Sequence, residues 1–146
     1  MIDLQPAIRS VILNDLSISS LLPAYNGSKT IFTRRPTPTD APYPLVLISD
    51  TVADNQQDYL SCGHRVMTYD VAVYGYNDTP ANYRLVQDIA RRIANKFHGL
   101  KPYEIAMPSG SSLIQSTTIG PLSGPVDDDN KIGRVVILNL EVLLEE

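Results

Sequence analysis

The sequence is poor in the residues that carry most recognisable chemistry. It has one cysteine in 146 residues, so no internal disulfide can form. Tryptophan is absent and histidine occurs twice. Cations are not in excess: 12 Lys and Arg stand against 16 Asp and Glu, a formal net charge of −4. That excludes a protein that grips nucleic acid by its phosphates through clustered Lys and Arg. It leaves room for one past which nucleic acid slides. No apolar run approaches the ~20 residues a membrane-spanning helix needs. No basic start followed by a long apolar run announces a secretory signal, so the expectation is a soluble, cytoplasmic chain with no membrane partner. Asn26-Gly27-Ser28 and Asn77-Asp78-Thr79 match a glycosylation pattern, but without a secretory route they read as turns. Neither GxxxxGKS/T nor GxGxxG occurs, so Gly120, Gly124 and Gly133 form no phosphate loop.

What is present is patterned. The length suits one domain over 1–146 with one real core. DLQPAIRSVIL predicts a helix: Leu4, Ile8, Val11 and Ile12 share a face, Asp3 is the expected N-cap and Pro6 is early enough to be tolerated. Leu21 and Leu22 are expected to anchor the following turn. IFTRR reads as a short strand. PTPTDAPYP has four prolines in nine residues and reads as extended and solvated. Leu45 to Ser49 is an apolar strand, and TVADNQQDYLSCGH a long loop or protruding hairpin. In RVMTYDVAVYGY, Met67, Tyr69, Val71 and Val73 fall on one face, the expected core side; Val66, Thr68, Asp70, Ala72 and Tyr74 fall on the other. Thr79 then caps a helix with Pro80 in its first position. Leu85, Val86, Ile89, Ile93 and Phe97 form its apolar arc, Arg84 and Asp88 or Asp88 and Arg92 are spaced to pair, and Gly99 ends it after about 19 residues. Residues 102–131 read as mostly loop, with a strand around Leu113 to Ile119. KIGRVVILNLEVLLEE is a long strand whose Val136, Leu138, Leu140, Val142 and Leu144 share one face, with Val135, Ile137, Asn139, Glu141 and Leu143 on the other. The order predicts an α+β fold: a mainly antiparallel sheet packed against a long helix and a shorter N-terminal helix.

Candidate chemistry is sparse. Cys62-Gly63-His64 puts a nucleophile near a base, but no orienting group or oxyanion hole accompanies them; a solvated histidine beside a loop cysteine is the plainer reading. His64, His98 and Cys62 do not make a usual zinc site without carboxylates. Asp127-Asp128-Asp129 lacks the alternating ligands and distal Glu of a calcium loop; it reads as a solvated turn, or as a charged turn that keeps nucleic acid off a channel wall. No catalytic, cofactor or metal residues are assigned, and no cofactor is expected. Arg91 and Arg92 lie on the wet side of the long helix, and Asp70 faces solvent or a neighbouring subunit. The second apolar face of the last strand, Val135, Ile137 and Leu143, exceeds what a sheet with one wet face requires. It calls for cover by a helix or by another subunit.

The layout of IFTRRPTPTDAPYPLVLIS, then MTYDVAVYGYNDTPANYRLVQDIARRIANKF, then a C-terminal apolar strand resembles the tail terminator, or tail completion, proteins of long-tailed bacteriophages. The similarity spans nearly the whole chain in layout and is specific at 41–49 and 67–97. It implies a small α+β subunit without enzyme activity, assembled as a hexameric ring in the host cytoplasm and carried in the virion's tail or neck. Such a ring caps the head-proximal end of the tail tube, ends tube polymerisation and joins the head connector, with genome DNA passing through unbound. Its partners would be copies of itself, the major tail tube protein and a head-closure or connector protein. Asp127, Asp128 and Asp129 would then be a lumen-facing turn, and Arg91, Arg92, Val135 and Ile137 subunit or partner contacts. The alternatives are another neck component such as a head-closure protein, a small-molecule-binding α+β domain, and a thiol hydrolase using Cys62.

Overall fold

Leu4, Ile8 and Ile12 are fully buried along one side of the first helix, α1 (Gln5–Asn14), as their spacing predicts. This computed structural model describes residues 3–34, 37–56, 63–124 and 130–144. Leu4, not Asp3, takes the N-cap position, although the Asp3 carboxylate still accepts the Gln5 N–H at 3.0 Å. A one-turn helix, α2 (Leu16–Ser19), follows where the sequence suggested only a turn; the Asp15 side chain caps it by accepting the Ser17 N–H. Leu22 is buried beyond it as expected.

The next elements are short. β1 (Ala24–Tyr25) and β2 (Ser28–Lys29) form a tight hairpin across Asn26-Gly27. β3 (Ile31–Phe32) runs parallel to β4 (Leu45–Ile48). β5 (Ala53–Gln56) and the 13-residue β6 (His64–Tyr76) are antiparallel, so the polar stretch read as a long loop or hairpin contains a strand; its residues 57–62 lie outside the described residues. After the 18-residue helix α3 (Pro80–Phe97) come β7 (Ser111–Ser123) and β8 (Lys131–Leu144). The six-stranded sheet runs β3-β4-β6-β8-β7, with β5 beside β6 past the end of β4. The fold is α+β, its sheet mostly antiparallel, with the long helix α3 and the short N-terminal helix.

Both α1 and α3 pack on the same side of the sheet. Met67, Tyr69, Val71 and Val73 of β6 and Val136, Leu138, Leu140 and Val142 of β8 are fully buried there, against Ile8 and Ile12 of α1 and Ile89, Ile93 and Phe97 of α3. Leu144, read as a core residue, is only partly buried at the margin. The space between helix and sheet is filled by these side chains, which weighs against a ligand pocket at that place.

The strand-to-helix corner works as its sequence indicates. Thr79 Oγ1 accepts the Asn82 N–H at 3.1 Å, and Pro80 occupies the first turn, where its missing N–H costs nothing. At the other end the His98 N–H closes on the Ala94 carbonyl. Gly99 then takes a φ of +70°, a left-handed turn that glycine adopts without penalty. Of the two spaced pairs only Asp88–Arg92 forms, at 3.1 Å. Thr79→Ala is expected to cost about 1 kcal/mol through the lost cap, measurable by urea unfolding. A change below ~0.3 kcal/mol would show that tertiary packing alone holds this end of the helix.

Two sequence expectations need correction. β7 is far longer than Leu113 to Ile119, and most of 107–123 is strand rather than loop. Its core-side positions are polar because they serve α3: Ser116 Oγ donates to the Phe97 carbonyl and accepts the Leu100 N–H, while Thr118 Oγ1 donates to the Ala94 carbonyl. The proline-rich segment is not simply solvated. Ala41 in it is buried. Tyr43 meets the Tyr76 ring edge-on at 5.1 Å, and Lys131 Nζ stands 4.8 Å from the Tyr43 ring.

Candidate assembly surface

The side of the sheet away from the helices has a defined residue map, fixed by strand register. One row across the strands is Leu47, Ala72, Val135, Leu122; the next contains Asp70, Ile137, Ile119; the next Thr68, Asn139, Thr117; then Val66, Glu141, Gln115. Neighbours along such a row have Cβ atoms ~4.5–5.5 Å apart and form a continuous surface. Its two halves differ in cover. Near the proline-rich segment, Leu45, Leu47 and Ala72 are buried although they face away from the main core. Towards β7 the apolar side chains are open: Ile119 is 52% and Leu122 44% exposed, and Val135 and Ile137 are half-buried. No helix among the described residues covers this part. The apolar surplus read from Val135, Ile137 and Leu143 is therefore real within one chain.

The polar residues are partly paired within the chain, although the buried His64 Nε2, Asp54 Oδ1 and Arg65 Nε lack a hydrogen-bond partner among the described residues. Thr68 Oγ1 donates to Asn139 Oδ1 at 2.8 Å. Gln115 donates its amide to Glu141, and His64 Nε2 lies 2.5 Å from Glu141 Oε1, an ion-pair contact rather than an aligned hydrogen bond. Arg65 pairs with the Asp54 carboxylate at 3.1 Å at the β5–β6 hairpin.

The sheet borders differ too. At β3 the outer carbonyls are taken by α1 side chains: Arg9 Nε donates to Ile31 O and Gln5 Nε2 to Thr33 O. At β7 the Ser116 carbonyl accepts the Gly99 N–H, so the chain leaving α3 covers part of that border. Irregular register at Ile119/Leu122, together with Pro121, which lacks an N–H, interrupts the rest. These are devices that discourage unwanted strand pairing. They shift the weight of any assembly contact from the sheet borders to its open face.

The sequence-derived site residues fall in separate places. Val135 and Ile137 lie together on the open face. Arg91 and Arg92 lie on α3, on the opposite side of the subunit, and differ from each other. Arg92 is engaged within the chain, with Asp88 and with the Ser17 carbonyl at 3.1 Å. Arg91 is exposed and makes no ion pair among the described residues. Asp127, Asp128, Asp129 and Cys62 lie outside the described residues. His98 stands at the end of α3 and His64 at the start of β6, so they are not a pair. Among the described residues no group of three or more His, Cys, Asp or Glu is placed to hold a metal, and no helix is long and apolar enough to cross a membrane. Ile119 and Leu122 were not legible as surface contacts: Ile119 ends the expected strand and Leu122 falls beyond it, where the sequence reads as loop.

Two titratable groups, Tyr69 and Glu104, are shifted by their surroundings. Tyr69 has its hydroxyl in the core, accepting the Leu4 N–H at 3.0 Å and the Thr51 hydroxyl at 3.1 Å; burial pushes its phenol up from the ordinary value. Glu104 is held below the usual carboxylate range, first by the Lys101 N–H it accepts and then by Lys96. Both are explained by local structure.

No protein-family model and no curated protein matches the sequence. Fold comparison does find a counterpart. A chain from the virion of a native gene transfer agent particle superposes with a TM-score of 0.70 at 14% identity, over 97% of this chain and 95% of that one. The two share a fold from end to end.

Proposed function

We propose that this chain is a non-enzymatic structural protein of a phage-like virion. In this reading residues 1–146 act as one unit and assemble as a hexameric ring. The ring caps the head-proximal end of the tail tube, stops its growth and joins it to the head connector. The observation that carries the reading is the nearly full-length fold likeness to a chain of a gene transfer agent virion. The tail-terminator-like layout of 41–49 and 67–97 supports the finer role.

The physical features agree. An open apolar sheet face beside a well-filled core suits a subunit whose surface is completed by neighbours. A contact between two different surfaces closes into a ring when its rotation suits. The acidic balance suits a conduit through which DNA passes without sticking. Electron microscopy of purified tail tubes with the added chain is expected to show a six-fold ring at one end of each tube, and tube growth stopping there. Binding to head-connector protein but not to tube protein would reassign the chain to another part of the neck. Tubes that keep growing, with no ring attached, would overturn the tail-terminating role.

A further inference from the structure

The open sheet face and the outer stripe of α3 lie on opposite sides of one subunit, because α3 packs against the inner face. Most of their charged groups are paired within the chain, but one carboxylate on the first and two guanidiniums on the second have no partner among the described residues. On the open face Glu141, Thr68 and Asn139 all have partners. Asp70 does not. It is half-buried in mid-strand, with Ile137 beside it and Ile119 next along the row. Its carboxylate has no hydrogen-bond or ion-pair partner among the described residues. A carboxylate among Ile119, Leu122, Val135 and Ile137 loses its water as soon as this face is covered, and must then meet a cation.

The chain carries that cation on its far side. Arg84 and Arg91 are seven residues apart, nearly two turns of α3, and so share one stripe. Both are exposed and neither has a partner among the described residues, unlike Arg92 beside them, which is held by Asp88 and Ser17.

We infer that in the assembled ring the open sheet face of one copy is covered by the outer face of α3 of the next, with Asp70 meeting the Arg84–Arg91 stripe. This rests on the ring reading above and names the contact that builds it. The two surfaces are different, so the contact is head-to-tail, the kind that closes into rings. A guanidinium on a carboxylate also fixes orientation, because the fork binds in a plane.

Charge reversal tests the contact. Asp70→Arg, and separately Arg84→Glu with Arg91→Glu, are each expected to weaken ring association at least about tenfold by sedimentation. Thermal midpoints should stay within about 2 °C, since none of these side chains makes a bond inside the subunit. All three changes in one chain reverse both sides of the contact and should restore most of the association. Asp70→Asn, which removes the charge at nearly constant shape, serves if Asp70→Arg perturbs folding, and should also weaken the ring. Wild-type rings whose charge variants assemble equally well, or a triple variant no better than the single reversals, would overturn this contact and leave the ring reading standing. A wild-type chain that stays monomeric, alone and with tail tubes, would overturn both.

Discussion

Tyr69→Ala is expected to cost about 3–5 kcal/mol, the range for removing a large buried aromatic ring, and to lower the urea midpoint at unchanged slope. Tyr69 is among the largest fully buried side chains. It sits on β6 where Leu138 of β8 lies opposite, and its hydroxyl ties that strand to the start of α1 through the buried Leu4 N–H. Two terms separate experimentally. Tyr69→Phe keeps the ring and leaves the Leu4 N–H without its acceptor, which costs about 1–3 kcal/mol. Tyr69→Ala loses the packing as well. A Phe variant within about 0.5 kcal/mol of the parent would mean that water or a shifted backbone satisfies Leu4, and that the hydroxyl does not fasten α1 to the sheet.

Gly75→Ala is expected to cost about 1–3 kcal/mol by overpacking. Gly75 lies on the helix side of β6, opposite Ile132, and a Cβ there would come 2.3 Å from Val86 Cγ2. Val86 is 1% exposed and β-branched, so it cannot swing away cheaply. The glycine thus sets how closely α3 approaches the strand that leads into it. Removing the obstacle should remove the penalty. In a Val86→Ala background, Gly75→Ala should cost at least about 1 kcal/mol less than it does alone, a coupling within the range for residues in direct contact. Strict additivity by urea unfolding would mean that the strand–helix distance is not set at this point. The Gly75–Val86 contact sets β6 against α3 across the corner at Asn77–Pro80, and the Tyr69–Leu4 bond fastens α1 to the same strand.

The parts of this fold that bury apolar side chains at a regular period were legible in the sequence. Met67, Tyr69, Val71 and Val73 alternate without a break and are all in the core. Thr79-Pro80 and Gly99 bracket α3 with cap chemistry that needs no tertiary information. Only Leu113 to Ile119 of β7 was legible as strand, and its full extent was not, for a physical reason. Its inward positions include Ser116 and Thr118, placed to bond the last carbonyls of α3 rather than to fill space, so the apolar alternation that marks a strand is missing. Gly120-Pro121 then imitates a loop. α2 was missed because four residues are too few to show a period. For the assembly surface, the surplus on β8 was readable from Val135 and Ile137. Its continuation through Ile119 and Leu122 depends on strand order, which the sequence does not state. Asp70 could be placed on the outward face by parity alone; that it lacks a partner emerges only from the arrangement of its neighbours.

The central claim is that this chain functions as a subunit completed by copies of itself. Native mass spectrometry of the purified full chain, over a range of concentrations and again in the presence of tail tubes, tests it most directly. The account predicts a discrete species of six chains that grows at the expense of monomer. A single-chain mass under every condition, with tubes present as well as absent, would contradict it.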